Sequence, residues 1–336
     1  MATTEYLTNN SVRRSWYLYD WANSAFSTTV ITLFLGPYLT SIAESAADAS
    51  GLINLWGISM RPGSLFPYVI SFSVFAQVFV LPIVGAIADR IKSRNGFLAI
   101  FAYLGAFSTI CLYFVKDQRF ALGAFLLIVA NISFGAALVV ANSYIPDLAS
   151  PDKRDAVSSR GWASGYAGGG LLLLLNLYLY SSFESFGITE AEAVRISLTS
   201  AGIWWALFTI FTVRGLRSLN RKVGVVGKDA VTVGFQELKQ TLKDLRKYPE
   251  TLKFLIAYLF YNDGIQTVIA ISGTYAILEL KLEQLSLVFA IVIVQITALI
   301  GSLILGKIAE KYGTKKTILI SLIIWTIMVV ITYFAP

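Results

Sequence analysis

The sequence predicts an all-α, polytopic membrane protein, and three observations carry that reading. Of its 336 residues, 56% are hydrophobic and only 14% are charged, about half the charged share of a soluble domain. Mean hydropathy is +0.67. Apolar runs close to the ~20 residues that a helix needs to cross ~30 Å of hydrocarbon recur nine times, parted by charged or Gly/Pro-rich breaks.

Taken in order, the first run is Trp16–Ile42. It is longer than a signal-peptide core and holds Asp20 and Asn23, so it reads as a retained span. Phe66–Ile87 and Phe97–Val115 flank the basic loop Arg90, Lys92, Arg94, and Phe120–Tyr144 follows. The fifth run, Trp162–Phe183, opens on Gly161, Gly165 and Gly169; that spacing bares one helix face and lets a neighbour approach closely. Ile196–Val213 completes a first set of six within residues 1–213. Residues 214–251 form the longest polar stretch and read as a cytoplasmic linker. Within it Val231, Phe235, Leu238, Leu242 and Leu245 recur at spacings of 4, 3, 4 and 3 before Pro249. This predicts an amphipathic helix lying on the inner membrane surface, with a partner-binding helix as the alternative. Leu252–Leu278, Leu285–Leu305 and Thr317–Phe334 then make a partial second lobe, residues 252–336.

Lys and Arg set the orientation, because cytoplasmic loops retain them. With the N-terminus inside, only Arg61, Lys116, Arg119, Arg195 and Lys281 fall outside, against 22 inside. The net charge of +7 is therefore a topology signal. Nucleic acid is not an expected partner, since no soluble basic module is present. Histidine is absent and Cys111 is the lone cysteine, which removes cysteine metal cages and every Ser-His or Cys-His nucleophile. No enzyme activity, metal or cofactor is expected. Gly301 to Lys307 imitates the start of a phosphate-binding loop, but Ile308 stands where a hydroxyl must hold magnesium, and the stretch ends an apolar run.

Two polar elements recur across the linker. Asp20-Trp-Ala-Asn23-Ser24 in the first span is echoed by Asp263-Gly-Ile-Gln266-Thr267 in the seventh. Positions i, i+3 and i+4 share a helix face, so each string makes a polar stripe. Tyr17 and Tyr19 precede one; Tyr258, Tyr261 and Asn262 precede the other. An Asp near a span centre costs about 2.5–3.5 kcal/mol on insertion scales. Asp20 and Asp263 therefore either line a central cavity and bind a cationic group or a proton, or serve as structural acceptors. Tyr19, Asn23, Ser24, Tyr261, Asn262, Gln266 and Thr267 complete this candidate substrate or proton site.

The second element is Gly-x-x-x-acid-base: Gly85 to Asp89-Arg90, and Gly306 to Glu310-Lys311. Asp89 is expected to accept from Arg90, Arg94, Arg154 or Arg160, with Asp147 and Asp155 as further acceptors. Such a cluster would form a cytoplasmic gate that latches one conformation; the alternative is a plain positive-inside anchor.

These loops resemble the signature of the major facilitator superfamily. More narrowly, Trp16-Tyr-Leu-Tyr-Asp20-Trp-Ala-Asn-Ser-Ala-Phe26, Gly161-Trp-Ala-Ser-Gly165-Tyr and Tyr261-Asn-Asp-Gly-Ile-Gln-Thr267 resemble the autophagy-linked vacuolar amino-acid effluxers and their prokaryotic "unknown major facilitator" relatives. The resemblance implies a major-facilitator-type helical bundle: two six-span lobes around a central cavity, nine of twelve spans present, and hence a fragment. Lys92 stands where the signature loop has Gly, and Asn131 where many proton-coupled antiporters of the superfamily have Arg. The implied function is secondary transport or efflux of a small polar solute, amino acids above all, by alternating access with proton coupling through Asp20 or Asp263. The implied partners are the solute, protons and the lipid bilayer, for a monomer. The implied location is the cell membrane of a prokaryote or the vacuolar or another endomembrane of a eukaryote. A non-transporting sensor or scaffold with the same fold is the alternative.

Overall fold

The computed structural model describes residues 10–220, 228–278, 281 and 284–334. Helix α1 (Asn10–Ala25) continues through a π-helical segment, Phe26–Phe34, into α2 (Leu35–Ser45), so the first run is one 36-residue rod. The wide turns have a local cause. Ser27 and Thr28 hydroxyls both donate to the Ser24 carbonyl (3.0 and 2.8 Å), and Thr32 Oγ1 donates to Ser27 (2.9 Å). These hydroxyls compete for carbonyls that α-helical N–H groups would take.

A hairpin follows: β1 (Ile53–Leu55) pairs antiparallel with β2 (Ile58–Met60). Its turn, Trp56-Gly57, has φ of 51° and 93°, as a two-residue hairpin turn of the primed type requires. Asn54 Oδ1 accepts from the Gly57 N–H at 2.9 Å.

The remaining elements are α3 (Leu65–Ala88), α4 (Arg94–Cys111), α5 (Phe120–Asn142), the single turn α6 (Ile145–Leu148), α7 (Arg154–Ser181), α8 (Glu190–Gly215), α9 (Lys228–Asp244), α10 (Pro249–Leu278), α11 (Gln284–Tyr312) and α12 (Thr314–Phe334). Thr189 caps α8 by accepting from the Glu192 N–H, the Ser/Thr-x-x-Glu pattern of a helix start. Helix α11 stops at Gly313, whose φ of 90° suits glycine alone, and α12 begins at once. Helices underlie all nine expected runs. Seven helical segments are long and apolar enough to cross a membrane among the described residues; α7 and α10 are not among the seven. In α7 the apolar run is diluted by five glycines and Asn176. The linker helix α9 falls where the 4-3-4-3 spacing placed it, while residues 221–227 and the side chains of Val231 and Leu242 lie outside the described residues.

Helix α1 packs on α7 and α8, α4 on α5 and α8, α3 on α5 and α9, and α11 on α7. The core between them holds Tyr19, Leu98, Leu127, Leu173 and Trp205, all fully buried. Phe26 and Phe134 close on the Trp205 ring at 5.5 and 6.1 Å. Apolar side chains such as Phe75, Phe107, Ile293 and Ile323 cover the outside, which suits a bilayer as solvent.

Candidate functional site

The polar string of α1 divides between two faces. Tyr19 and Asn23 turn inward, 0% and 3% exposed, beside Trp205 of α8. Asp20 and Ser24, a turn apart, stay partly exposed and lie along α7. The expected single stripe of Asp20, Asn23 and Ser24 is therefore corrected. At 100° per residue Asn23 and Tyr19 sit at one edge of the arc, and the bundle interior claims that edge.

Helix α7 sets how close Asp20 comes. A Cβ on Gly161 would stand 2.5 Å from Asp20 Oδ2, and one on Gly165 would stand 2.5 Å from Ser24 Oγ and 3.3 Å from the Asp20 carbonyl oxygen. Gly168 meets the Trp21 carbonyl oxygen at 2.5 Å, and Gly169 meets that of Ser24 at 3.1 Å, measured in the same way. Ser164 Oγ ties the helices together by donating to the Tyr17 carbonyl at 2.9 Å. Among the described residues the Asp20 carboxylate receives no hydrogen bond and forms no ion pair. The partly exposed side of α1 and its π-helical continuation includes Tyr17, Asp20, Ser24, Ser27 and Ile31. Ser27 was missed from sequence; the signal for it is its place one turn beyond Ser24, usable once Asn23 is known to point inward.

The other flank of α7 meets α11. Gly170 lies against Gln295, which is 8% exposed, and a Cβ on Gly306 would stand 2.5 Å from Ser159 Oγ. Gly306, expected in a gate loop, is thus a packing position inside α11. At the end of this seam Thr314 Oγ1 donates to Asp155 Oδ2. Glu310 and Lys311 are exposed in the last turn of α11, with Lys311 Nζ 5.0 Å from the Tyr312 ring. On α10, Tyr261 and Asn262 are partly exposed, and Asp263, Gln266 and Thr267 are exposed. The Asp263 carboxylate, too, has no hydrogen bond or ion pair among the described residues.

At the basic end of the bundle the charge cluster centres on Arg94. Its guanidinium, 3% exposed, pairs with Asp147 of α6, donates to the carbonyls of Ser143 (3.0 Å) and Leu219 (3.1 Å), and lies 4.2 Å over the Tyr144 ring. Asn220 Nδ2 donates to Asn95 Oδ1 at 2.6 Å, Arg13 Nε to Leu148 O at 2.8 Å and Arg154 Nε to Ala149 O at 3.4 Å. Asp89 is not the acceptor that the spacing predicted. It is the C-cap of α3, backbone-bonded to Gly85 O at 3.0 Å. Its exposed carboxylate borders a cleft of about 300 Å³ with Pro82, Ala86, Arg90, Leu238 and Thr241. Among the described residues it forms no ion pair with Arg94, Arg154 or Arg160, and Arg160 is exposed.

Known proteins repeat this outline. A family model described as "Vacuole effluxer Atg22 like" matches residues 8–335. YxiO of Bacillus subtilis (strain 168), an uncharacterized MFS-type transporter, is 30% identical over 324 residues, covering 95% of this chain and 72% of its own. Autophagy-related protein 22 of Vanderwaltozyma polyspora is 23% identical over 382 residues (96% and 72%), and that of Saccharomyces cerevisiae S288c is 24% identical over 375 residues (93% and 70%). Among solved structures, the major facilitator superfamily proton:xylose symporter XylE, bound to 6-bromo-6-deoxy-D-glucose, superposes with a TM-score of 0.62 at 17% identity. The match covers 92% of this chain and 70% of that one, and it concerns the fold.

Proposed function

The chain belongs to the Atg22-like vacuole effluxer family and is a transporter of the major-facilitator type, and on that premise we propose that it exports a small polar solute of the amino-acid class by alternating access. The observation that carries this reading is the Asp20–Ser24 edge of α1 seated on the bare face of α7, where Gly161 and Gly165 leave room for the carboxylate and the hydroxyl. A carboxylate without a partner between two helices is costly to keep charged. An ammonium group, or a proton, removes that cost.

In this reading Asp20 takes the ammonium or the proton, and Asp263 is its counterpart. Ser24 and Ser27 supply hydroxyls, while Asn262 and Gln266 offer amide donors to the carboxylate of the solute. Residues 1–213 act as one lobe and residues 252–336 belong to the other, with the N-terminus cytoplasmic. Because α7 carries α1 on one flank and α11 on the other, it is the hinge line along which the lobes rock.

Reconstituted liposomes loaded with labelled amino acids, with and without a pH gradient, test the reading. Flux above that of protein-free liposomes, altered by the gradient, is expected. No flux of any amino acid through monodisperse, folded protein overturns the substrate class. Flux indifferent to the gradient overturns proton coupling alone.

A further inference from the structure

Helix α9 and the turn after it present a basic and apolar face. Phe235, Leu238, Lys239 and Lys243 fall within an arc of about 140° at 3.6 residues per turn, Arg246 follows in the 3-10 turn Leu245–Lys247 just after α9, and together they line a cavity of about 540 Å³. Among the described residues none of the three cations forms an ion pair. Asp244, next to Lys243 in the chain, is already engaged: Lys247 reaches it at 2.6 Å and Gln240 at 2.8 Å. These bonds hold the Asp244 carboxyl below its usual range, so it stays an anion committed to other partners. The cavity therefore offers three cations that form no ion pair among the described residues, Lys243 alone of them feeling the Asp244 charge, beside two apolar side chains.

Its height relative to the bilayer follows from α3. The 24 residues of Leu65–Ala88 extend about 36 Å at 1.5 Å per residue, enough to cross ~30 Å of hydrocarbon. Leu238 and Thr241 of α9 share a cleft with Pro82, Ala86, Asp89 and Arg90 at the end of that span. Helix α9 is thus held at the level of the membrane surface, where apolar and anionic groups lie side by side.

We propose that the face formed by Phe235, Leu238, Lys239 and Lys243 of α9 with Arg246 just after it binds the phosphate headgroup of an anionic membrane phospholipid. The three cations bind the phosphate, and Phe235 and Leu238 meet the start of the acyl chains. A soluble anion would use the charges and leave the apolar edge in water; a neutral lipid would do the reverse. Only an anionic amphiphile matches both halves of the face. Each cation near such a surface changes lipid affinity about fivefold. The site stands apart from the choice of transported solute.

Native mass spectrometry of the detergent-solubilised full chain, titrated with short-chain phosphatidylglycerol, phosphatidylcholine or inorganic phosphate, tests this. The wild type is expected to bind phosphatidylglycerol at least tenfold more tightly than phosphatidylcholine. Lys239→Gln, Lys243→Gln and Arg246→Gln combined should erase that preference, and each alone should reduce it severalfold, which keeps the test open should the triple variant fold poorly. Lys253→Gln, at a lysine paired with Glu250, should change nothing. Equal binding of the two lipids by the wild type, or a preference that survives in the variants, overturns the proposal. Displacement of phosphatidylglycerol by equimolar inorganic phosphate would instead make the site one for a soluble anion.

Discussion

Arg94 and Asp147 form an ion pair whose two ends live in different environments: the guanidinium is 3% exposed and the carboxylate 44%. The pair joins the start of α4 to α6, and through Leu219 O it also reaches the chain after α8. Arg94→Ala takes the donor from the partly buried carbonyls of Ser143 and Leu219, unpairs Asp147 and empties the buried space under the Tyr144 ring, so a loss of about 3 kcal/mol or more is expected. Arg94→Lys should recover little, because one ammonium cannot reproduce the planar fork that spans three acceptors. Asp147→Asn leaves the 3% exposed guanidinium without its counter-charge, but the Ser143 and Leu219 carbonyls and the new amide oxygen still accept from it, so a smaller loss of about 1–3 kcal/mol is expected. Thermal unfolding of the detergent-solubilised protein reads all three; equal shifts for Arg94→Ala and Asp147→Asn would contradict this ranking.

The glycines of α7 are expected to differ sharply from one on α10. Gly168→Ala drives a methyl to 2.5 Å from the Trp21 backbone oxygen, which α1 can relieve only by moving as a unit, at about 1–3 kcal/mol. Gly264→Ala has nothing within 4 Å of its new methyl and should be neutral or stabilising, as alanine is in a helix. The same unfolding assay separates them.

Closure along α7 and α11 is expected to depend on Asp155, not on Asp89. With Ser159→Cys as reporter in a Cys111→Ser background, Thr314→Val removes the hydrogen bond to Asp155. It should raise the labelling rate by a membrane-impermeant maleimide severalfold. Asp89→Asn, altering a carboxylate that holds no ion pair among the described residues, should leave that rate unchanged. The reverse pattern would restore Asp89 to the gate.

Much of the fold was legible because bilayer spans write themselves as long apolar runs, and α9 as a 4-3-4-3 spacing. The family was legible in three short strings, and residues 8–335 match it. Other features left no local trace. Arg94 meets Asp147 across 53 residues because α4 packs on α5, and nothing near Arg94 prefers that acid to Asp89. Helical spacing put Asp20 and Asn23 on one arc but could not say which edge would be claimed by Trp205 and which by the glycines of α7. The π-helical segment depends on hydroxyls in Ser27, Thr28 and Thr32, which composition counts as ordinary polar residues. The hairpin turn places Trp56 as well as Gly57 at positive φ, and of the two only the glycine is a turn signal in the sequence.

Solute counterflow through Asp20→Asn tests the account's centre, that the edge of α1 resting on the glycines of α7 holds the solute. The variant keeps the size of the side chain and removes only its charge. Exchange at least tenfold slower than wild type, with an unchanged unfolding midpoint, is the predicted result. Wild-type exchange through Asp20→Asn would contradict it.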